Sequence, residues 1–116
     1  MLKLLLLLVA LSLPPEFIDI TKVRYGNYSE FDAEANDPVA TVDSKEVYRA
    51  IPEYKEILRE KLEEGSARHA SLMRTCTKKF KAALKISQGA YVLIVEVGGV
   101  KNYPTTNITQ NIIKNI

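Results

Sequence analysis

Residues that bind metals or form disulfides are almost absent from this sequence. Its 116 residues include one cysteine, Cys76, and one histidine, His69. A single cysteine excludes a disulfide within the chain, and these two side chains are too few soft ligands for a zinc or iron site. We therefore expect no metal and no other cofactor.

Side chains that could act together in catalysis are also scarce. His69 lies close in sequence to Ser66, Ser71 and Cys76, which is the one combination that suggests a nucleophile and a base. This stretch has no placed carboxylate and no glycine-rich oxyanion loop. The sequence therefore predicts that the protein is not an enzyme, with a solvated His69 and a buried, inert Cys76 thiol.

Acidic and basic residues are nearly balanced, with 14 of the former and 16 of the latter. A nucleic-acid partner usually requires a strong excess of positive charge, and this chain has a formal net charge of only +2. The composition therefore predicts no nucleic-acid binding.

The N-terminal apolar run is too short to span a bilayer as a helix, which takes roughly 20 residues. Lys3 precedes it, residues 4–13 form it, and the small residues of Ala10-Leu-Ser12 offer a cleavage site. These features predict an export signal over residues 1–12. The alternative is a buried N-terminal helix, which Pro14-Pro15 would stop at once.

Residues 13–38 form an acidic stretch with few helix or strand signals. The loop residues Gly26-Asn-Tyr-Ser29 interrupt it. Ile18, Ile20 and Val23 are compatible with an edge strand, but the segment as a whole is predicted to be a poorly packed leader. The folded domain is predicted to cover residues 39–116.

A strand and a helical hairpin are predicted next. Val39-Ala-Thr-Val42 is β-branched, and Asp43 begins a capping box in which Glu46 reaches back. Apolar residues at steps of three and four then predict two helices, with Pro52 kinking or restarting the first. Gly65 would end the first helix and Ser66 would cap the second. Their predicted apolar stripes are Val47, Ile51, Tyr54, Leu58 and Leu62, and Met73, Cys76, Phe80, Ala83 and Ile86 or Ser87.

The C-terminal part predicts two strands and a short helix. Residues 90–97 are apolar on both faces, as in a buried strand, and Gly98-Gly99 predicts a tight turn that pairs residues 100–103 back against it. Asn107 would cap the last helix. The fold class is therefore α+β: a small β-rich head of three or four strands (residues 39–50 and 88–116), a helical-hairpin arm (residues 51–87) and a short C-terminal helix.

Two stretches resemble the OmpH/Skp family of periplasmic chaperones. The first is Val39-Ala-Thr-Val-Asp-Ser-Lys-Glu-Val-Tyr-Arg-Ala-Ile-Pro-Glu-Tyr-Lys55, which is similar to the family's first strand and helix start. The second covers residues 90–116, with a YVLIVE strand, a GGVKNY turn and an NITQNIIKNI ending. The arm of this chain is far shorter than the arms of the family, and Asn107 stands where the family has an aspartate.

The resemblance implies a periplasmic, ATP-independent holdase that binds unfolded outer-membrane proteins. It also implies a homotrimer built by the head, from which helical arms project. The apolar strand and the isoleucine-rich terminus would then be buried between subunits. The residues expected in this oligomer core are Val92, Ile94, Ile112 and Ile113.

The second half of the hairpin contains cations and no acidic residue. These cations would attract acidic clients, the phosphates of lipopolysaccharide or another anionic membrane surface. The alternative is that they pair with glutamates of the first helix across the hairpin. A second function is thus a non-catalytic trimeric assembly module on an acidic envelope surface, and a third is a degenerate family member with little activity. The cations are Arg68, Arg74, Lys78, Lys79, Lys81 and Lys85.

Overall fold

The structure is a computed structural model that describes residues 17–116. The predicted export signal, residues 1–12, lies outside the described residues. Within residues 17–116 the chain forms one four-stranded mixed sheet and four α-helices, so the predicted α+β class is confirmed. In this part of the chain, no helix has the length and apolar character needed to cross a bilayer.

The sheet has two buried strands at its centre and two short strands at its edges. The order across it is β1-β3-β2-β4, in which β2 pairs in parallel with both β3 and β4, and β1 is antiparallel to β3. The buried strand predicted over residues 90–97 is confirmed for residues 93–96, which form β3, but Ala90 and Val97 lie outside the strand and are exposed. The strands are β1 (Val23–Tyr25), β2 (Val39–Val42), β3 (Leu93–Glu96) and β4 (Thr105–Asn107).

Two helices begin at the predicted caps, Asp43 and Ser66. The last helix begins after Ile108, one residue beyond the predicted cap Asn107, although Asn107 Oδ1 accepts a hydrogen bond from the Thr109 N–H at 3.0 Å. Asp43 Oδ1 accepts a hydrogen bond from the Glu46 backbone N–H at 3.3 Å, although the Glu46 side chain accepts from Gln110 instead of reaching back. Pro52 restarts the helix after Ile51, whose backbone is extended. Ser66 caps the longest helix. The helices are α1 (Ser44–Ala50), α2 (Pro52–Glu60), α3 (Ala67–Ser87) and α4 (Thr109–Lys114).

One face of the sheet is covered by helices. Alternate residues of a strand point to opposite faces, and Ala40, Val42 and Ile94 all point to this side. They pack with Phe80 and Leu84 of α3 in one buried cluster, which Val47 of α1 and Ile112 of α4 complete. We call this cluster the helical core.

The prediction of a projecting arm is therefore wrong for the second half of α3. Residues 51–87 were expected to project from the head, but Phe80, Ala83 and Leu84 are buried against the sheet. Of the hairpin, α2 and the first half of α3 contribute no buried residue to this cluster. The cause is that the apolar stripe of α3 packs against the sheet as well as facing α2.

The other face of the sheet is covered by the acidic N-terminal segment. Val39, Leu93 and Val95 point to this side, where they form a buried cluster with Ile18. Aromatic side chains pack around it, with Phe31 and Tyr103 in an edge-to-face contact whose ring centroids are 5.2 Å apart. We call this cluster the aromatic core. The other side chains packed on it are Phe17, Val23, Tyr28, Val92 and Val100.

The prediction of a poorly packed leader is therefore wrong for residues 17–38. Ile18 is 2% exposed, and β1 forms an edge of the sheet. The physical reason is that β2 and β3 are apolar on both faces, so something other than the helices must cover the second face. The suggestion that Val23 belongs to an edge strand is confirmed.

The predicted hairpin between β3 and residues 100–103 is also wrong. Val100 bridges Ile18 instead, and the Lys101 N–H donates to the Phe17 carbonyl at 2.8 Å. β3 already has β1 on one side and β2 on the other, so neither of its edges can accept another strand. The chain then crosses β2 and adds β4 at the far edge of the sheet.

Candidate functional site

Ion pairs link α2 and α3 across the hairpin. Lys79 Nζ lies 2.7 Å from Glu53 Oε1, and Arg68 Nη2 contacts Glu56 and lies 3.0 Å from Glu60 Oε2. The hydrogen bond from Lys79 keeps the pKa of Glu53 below its ordinary value, and the hydrogen bond from Arg68 does the same to the pKa of Glu60. The prediction that part of the charge pairs across the hairpin is confirmed for these two cations.

The other four predicted cations lie on the solvent-exposed side of α3. Arg74, Lys78, Lys81 and Lys85 are exposed, and none of them forms an ion pair with a carboxylate of residues 17–116. They follow one another at steps of four, three and four, which places them on one side of an α-helix. We call this surface the cation stripe. At 1.5 Å per residue it extends for about 16 Å along α3.

The electrostatics of α3 leave the cation stripe free to attract an anion. The helix itself contains no acidic residue, and the glutamates of α2 that reach it pair with Arg68 and Lys79, outside the cation stripe. Their side chains are long and solvated, and such groups recognise distributed negative charge better than they recognise one small ligand. The arrangement therefore fits an extended acidic surface.

Two large apolar side chains of the hairpin are exposed, which the sequence pattern did not indicate. Leu58 of α2 was predicted on the buried stripe, but it is 55% exposed and Ile57 is buried in its place. The break at Ile51 resets the helical phase, so the stripe of α1 does not continue into α2. In α3, Ile86 is 66% exposed and Ser87 takes the buried position.

The residues expected in the oligomer core separate into two groups. Ile94 and Ile112 are completely buried within the single chain, in the helical core. That part of the prediction is wrong, because a side chain with no accessible surface cannot contact another subunit. Val92 and Ile113 are partly buried at the margins of the two cores.

The neighbours of His69 are engaged in helix structure. Ser66 Oγ accepts a hydrogen bond from the backbone N–H of His69 at 3.2 Å and thereby caps α3. Cys76 is buried, and burial raises the pKa of its thiol, which lowers the fraction of reactive thiolate at neutral pH. Another polar network joins β1, β3 and α1: Glu96 accepts from the backbone N–H of Ser44 at 2.8 Å and pairs with Arg24 at 3.1 Å.

Comparison with known proteins leaves the cation stripe to be interpreted from its own geometry. No family model, curated protein or solved structure matches this chain. The resemblance to the OmpH/Skp family consequently depends on the two quoted stretches of sequence alone.

Proposed function

We propose that this chain is a non-catalytic binding module that docks on an acidic surface of the cell envelope, such as the phosphates of lipopolysaccharide. The observation that supports this most directly is the cation stripe. Its four cations share one side of α3 and are not engaged by carboxylates of residues 17–116. A surface that carries many anions can engage all four at once, and their contributions then add.

The hairpin supplies the rigidity that such a surface needs. Phe80 and Leu84 fix one side of α3 in the helical core, and the opposite side carries the cations. The pairs of Glu53 with Lys79 and of Arg68 with Glu60 hold α2 against the same helix. The cations are thus presented on a packed helix, which reduces the ordering cost of binding.

Charge reversal in the cation stripe is expected to weaken binding to acidic membranes. Relative to the unchanged chain, the double variant Lys78→Glu/Lys81→Glu should bind vesicles that contain lipopolysaccharide at least about tenfold more weakly, because each cation near such a surface contributes roughly fivefold. Co-sedimentation with these vesicles, and with neutral phosphatidylcholine vesicles, measures the effect.

The matched control is Lys45→Glu/Lys55→Glu, which changes the net charge equally at exposed positions outside the cation stripe. This control should retain most of the binding. Equal losses in both double variants would mean that net charge alone matters, and equal binding to neutral vesicles would contradict an electrostatic mechanism.

A second candidate function is an ATP-independent periplasmic holdase for unfolded outer-membrane proteins. The specific observation in its favour is that the hairpin exposes Leu58 on α2 and Ile86 on α3, the helix that carries the cation stripe. Exposed apolar side chains beside cations can make distributed, weak contacts with a client, and such contacts hold the client without trapping it. We propose the periplasmic location from the predicted export signal and the OmpH/Skp resemblance. We propose the homotrimer from that resemblance alone.

An aggregation assay tests the holdase. A urea-unfolded outer-membrane barrel protein is diluted with and without the chain, at low and at high salt. The holdase predicts suppressed aggregation that weakens in high salt and is lost in the variant Leu58→Ser/Ile86→Ser. Ile20→Ser is the control, because Ile20 is 58% exposed but lies outside the hairpin. Absence of suppression would leave the envelope-binding module as the function.

A further inference from the structure

Acidic residues are concentrated in the first part of this chain. Thirteen of the fourteen acidic residues lie between residues 16 and 64, and Glu96 is the exception. The second half of the chain contributes α3 and α4, neither of which contains a carboxylate. As a result, the N-terminal segment on one face of the sheet is rich in carboxylates, whereas α3 on the other face carries no charged residues except cations and His69.

An unpaired acidic surface lies on the side away from α3. Four carboxylates occur within eight residues of the N-terminal segment, and none forms an ion pair within residues 17–116. The loop that carries them is fixed by hydrogen bonds, because Asp37 Oδ2 accepts from the Asp32 N–H at 2.8 Å and the Asp37 N–H donates to the Asp32 carbonyl. We call it the acidic loop. Its carboxylates are Glu30, Asp32, Glu34 and Asp37.

The sheet prevents the acidic loop from meeting the cation stripe within one molecule. Phe31 anchors the loop to the aromatic core, and Phe80 anchors α3 to the helical core, on the opposite face of β2 and β3. Both charged surfaces are consequently open to a second molecule. They are different patches, so a contact between them is heterologous: it closes into a ring or continues as an open chain.

We propose that the acidic loop of one copy docks on the cation stripe of another copy. The complementarity is in charge, and both surfaces are presented on packed structure, which limits the entropy lost on association. The contact is weak and sensitive to salt because its charges are exposed. This inference does not require the envelope-binding function, although self-association and binding to an acidic surface would compete for the same cations.

Sedimentation velocity of the full chain over a range of concentrations tests the contact. Self-association is expected at 20 mM salt and should weaken by about tenfold or more at 300 mM, where the Debye length is short. Lys78→Glu/Lys81→Glu and Glu30→Lys/Glu34→Lys should each be monomeric at 20 mM salt. The latter pair avoids Asp32 and Asp37, whose side chains accept backbone hydrogen bonds.

Mixing the two monomeric variants should restore association, because one retains the acidic loop and the other retains the cation stripe. The control Lys45→Glu/Lys55→Glu should associate as the unchanged chain does. A chain that is monomeric at every concentration, association that persists at 300 mM salt, or association that survives either variant would each overturn the proposal.

Separate measurements distinguish self-association from envelope binding. Self-association is measured by sedimentation without lipid. Vesicle binding is measured for the unchanged chain and for the variant Glu30→Lys/Glu34→Lys. This variant should bind acidic vesicles at least as strongly as the unchanged chain, because its cation stripe is intact. Loss of self-association together with retained vesicle binding is therefore the signature of this contact.

Discussion

Replacing Phe80 by alanine is expected to lower the free energy of unfolding by about 3–5 kcal/mol. Phe80 is 7% exposed in the helical core, and the centroid of its ring lies 5.2 Å from the ring centroid of Tyr48. The substitution removes apolar area from the core and leaves a cavity between α3 and the sheet. Urea unfolding followed by circular dichroism measures the loss.

The control for Phe80→Ala is Ile86→Ala on the same helix. Ile86 is 66% exposed, so its truncation should change the free energy of unfolding by less than about 0.5 kcal/mol. The comparison separates a helix that is part of the core from one that projects as an independent arm. Comparable, small effects at both positions would contradict the packing of α3 on the sheet.

Replacing Ile18 by alanine is expected to cost about 2–5 kcal/mol of unfolding free energy. Ile18 is 2% exposed and packs in the aromatic core, where it bridges Val100. The substitution uncovers the second face of the sheet, so the whole domain should unfold at lower urea concentration in a single transition. The same unfolding measurement applies.

Ile20 provides a matched control two residues away from Ile18. It has the same side chain but is 58% exposed, so Ile20→Ala should leave stability nearly unchanged. If Ile18→Ala were as mild as Ile20→Ala, the N-terminal segment would be a loosely attached leader. That result would support the sequence-based prediction of a poorly packed leader for residues 17–38.

The sequence predicted the elements whose periodicity is regular. Residues 93–96 form a buried strand because a run that is apolar on both faces must be enclosed, and apolar spacing of three and four identified α3. Ser66 and Asp43 were identified as helix caps because short polar side chains satisfy free backbone N–H groups. These predictions depend on local physics alone.

The N-terminal segment could not be predicted in the same way. Its apolar residues, such as Phe17, Ile18 and Phe31, follow no regular period. The reason is that the segment consists of short turns and one three-residue strand. Their role becomes evident only when the uncovered face of β2 and β3 is considered. The pairing of Val100 with Ile18 is likewise a property of the assembled sheet, in which β3 has no free edge.

For the candidate site, the sequence determined the sign of the charge on α3 and the absence of carboxylates along that helix. Tertiary structure decided which cations are free. The packing of α2 on α3 brings Glu53 to Lys79 and Glu60 to Arg68, and it leaves the cation stripe without an ion-pair partner among residues 17–116. Composition and helical spacing are local properties that can be read from the chain, whereas pairing depends on which faces two helices present to each other, and only packing sets that.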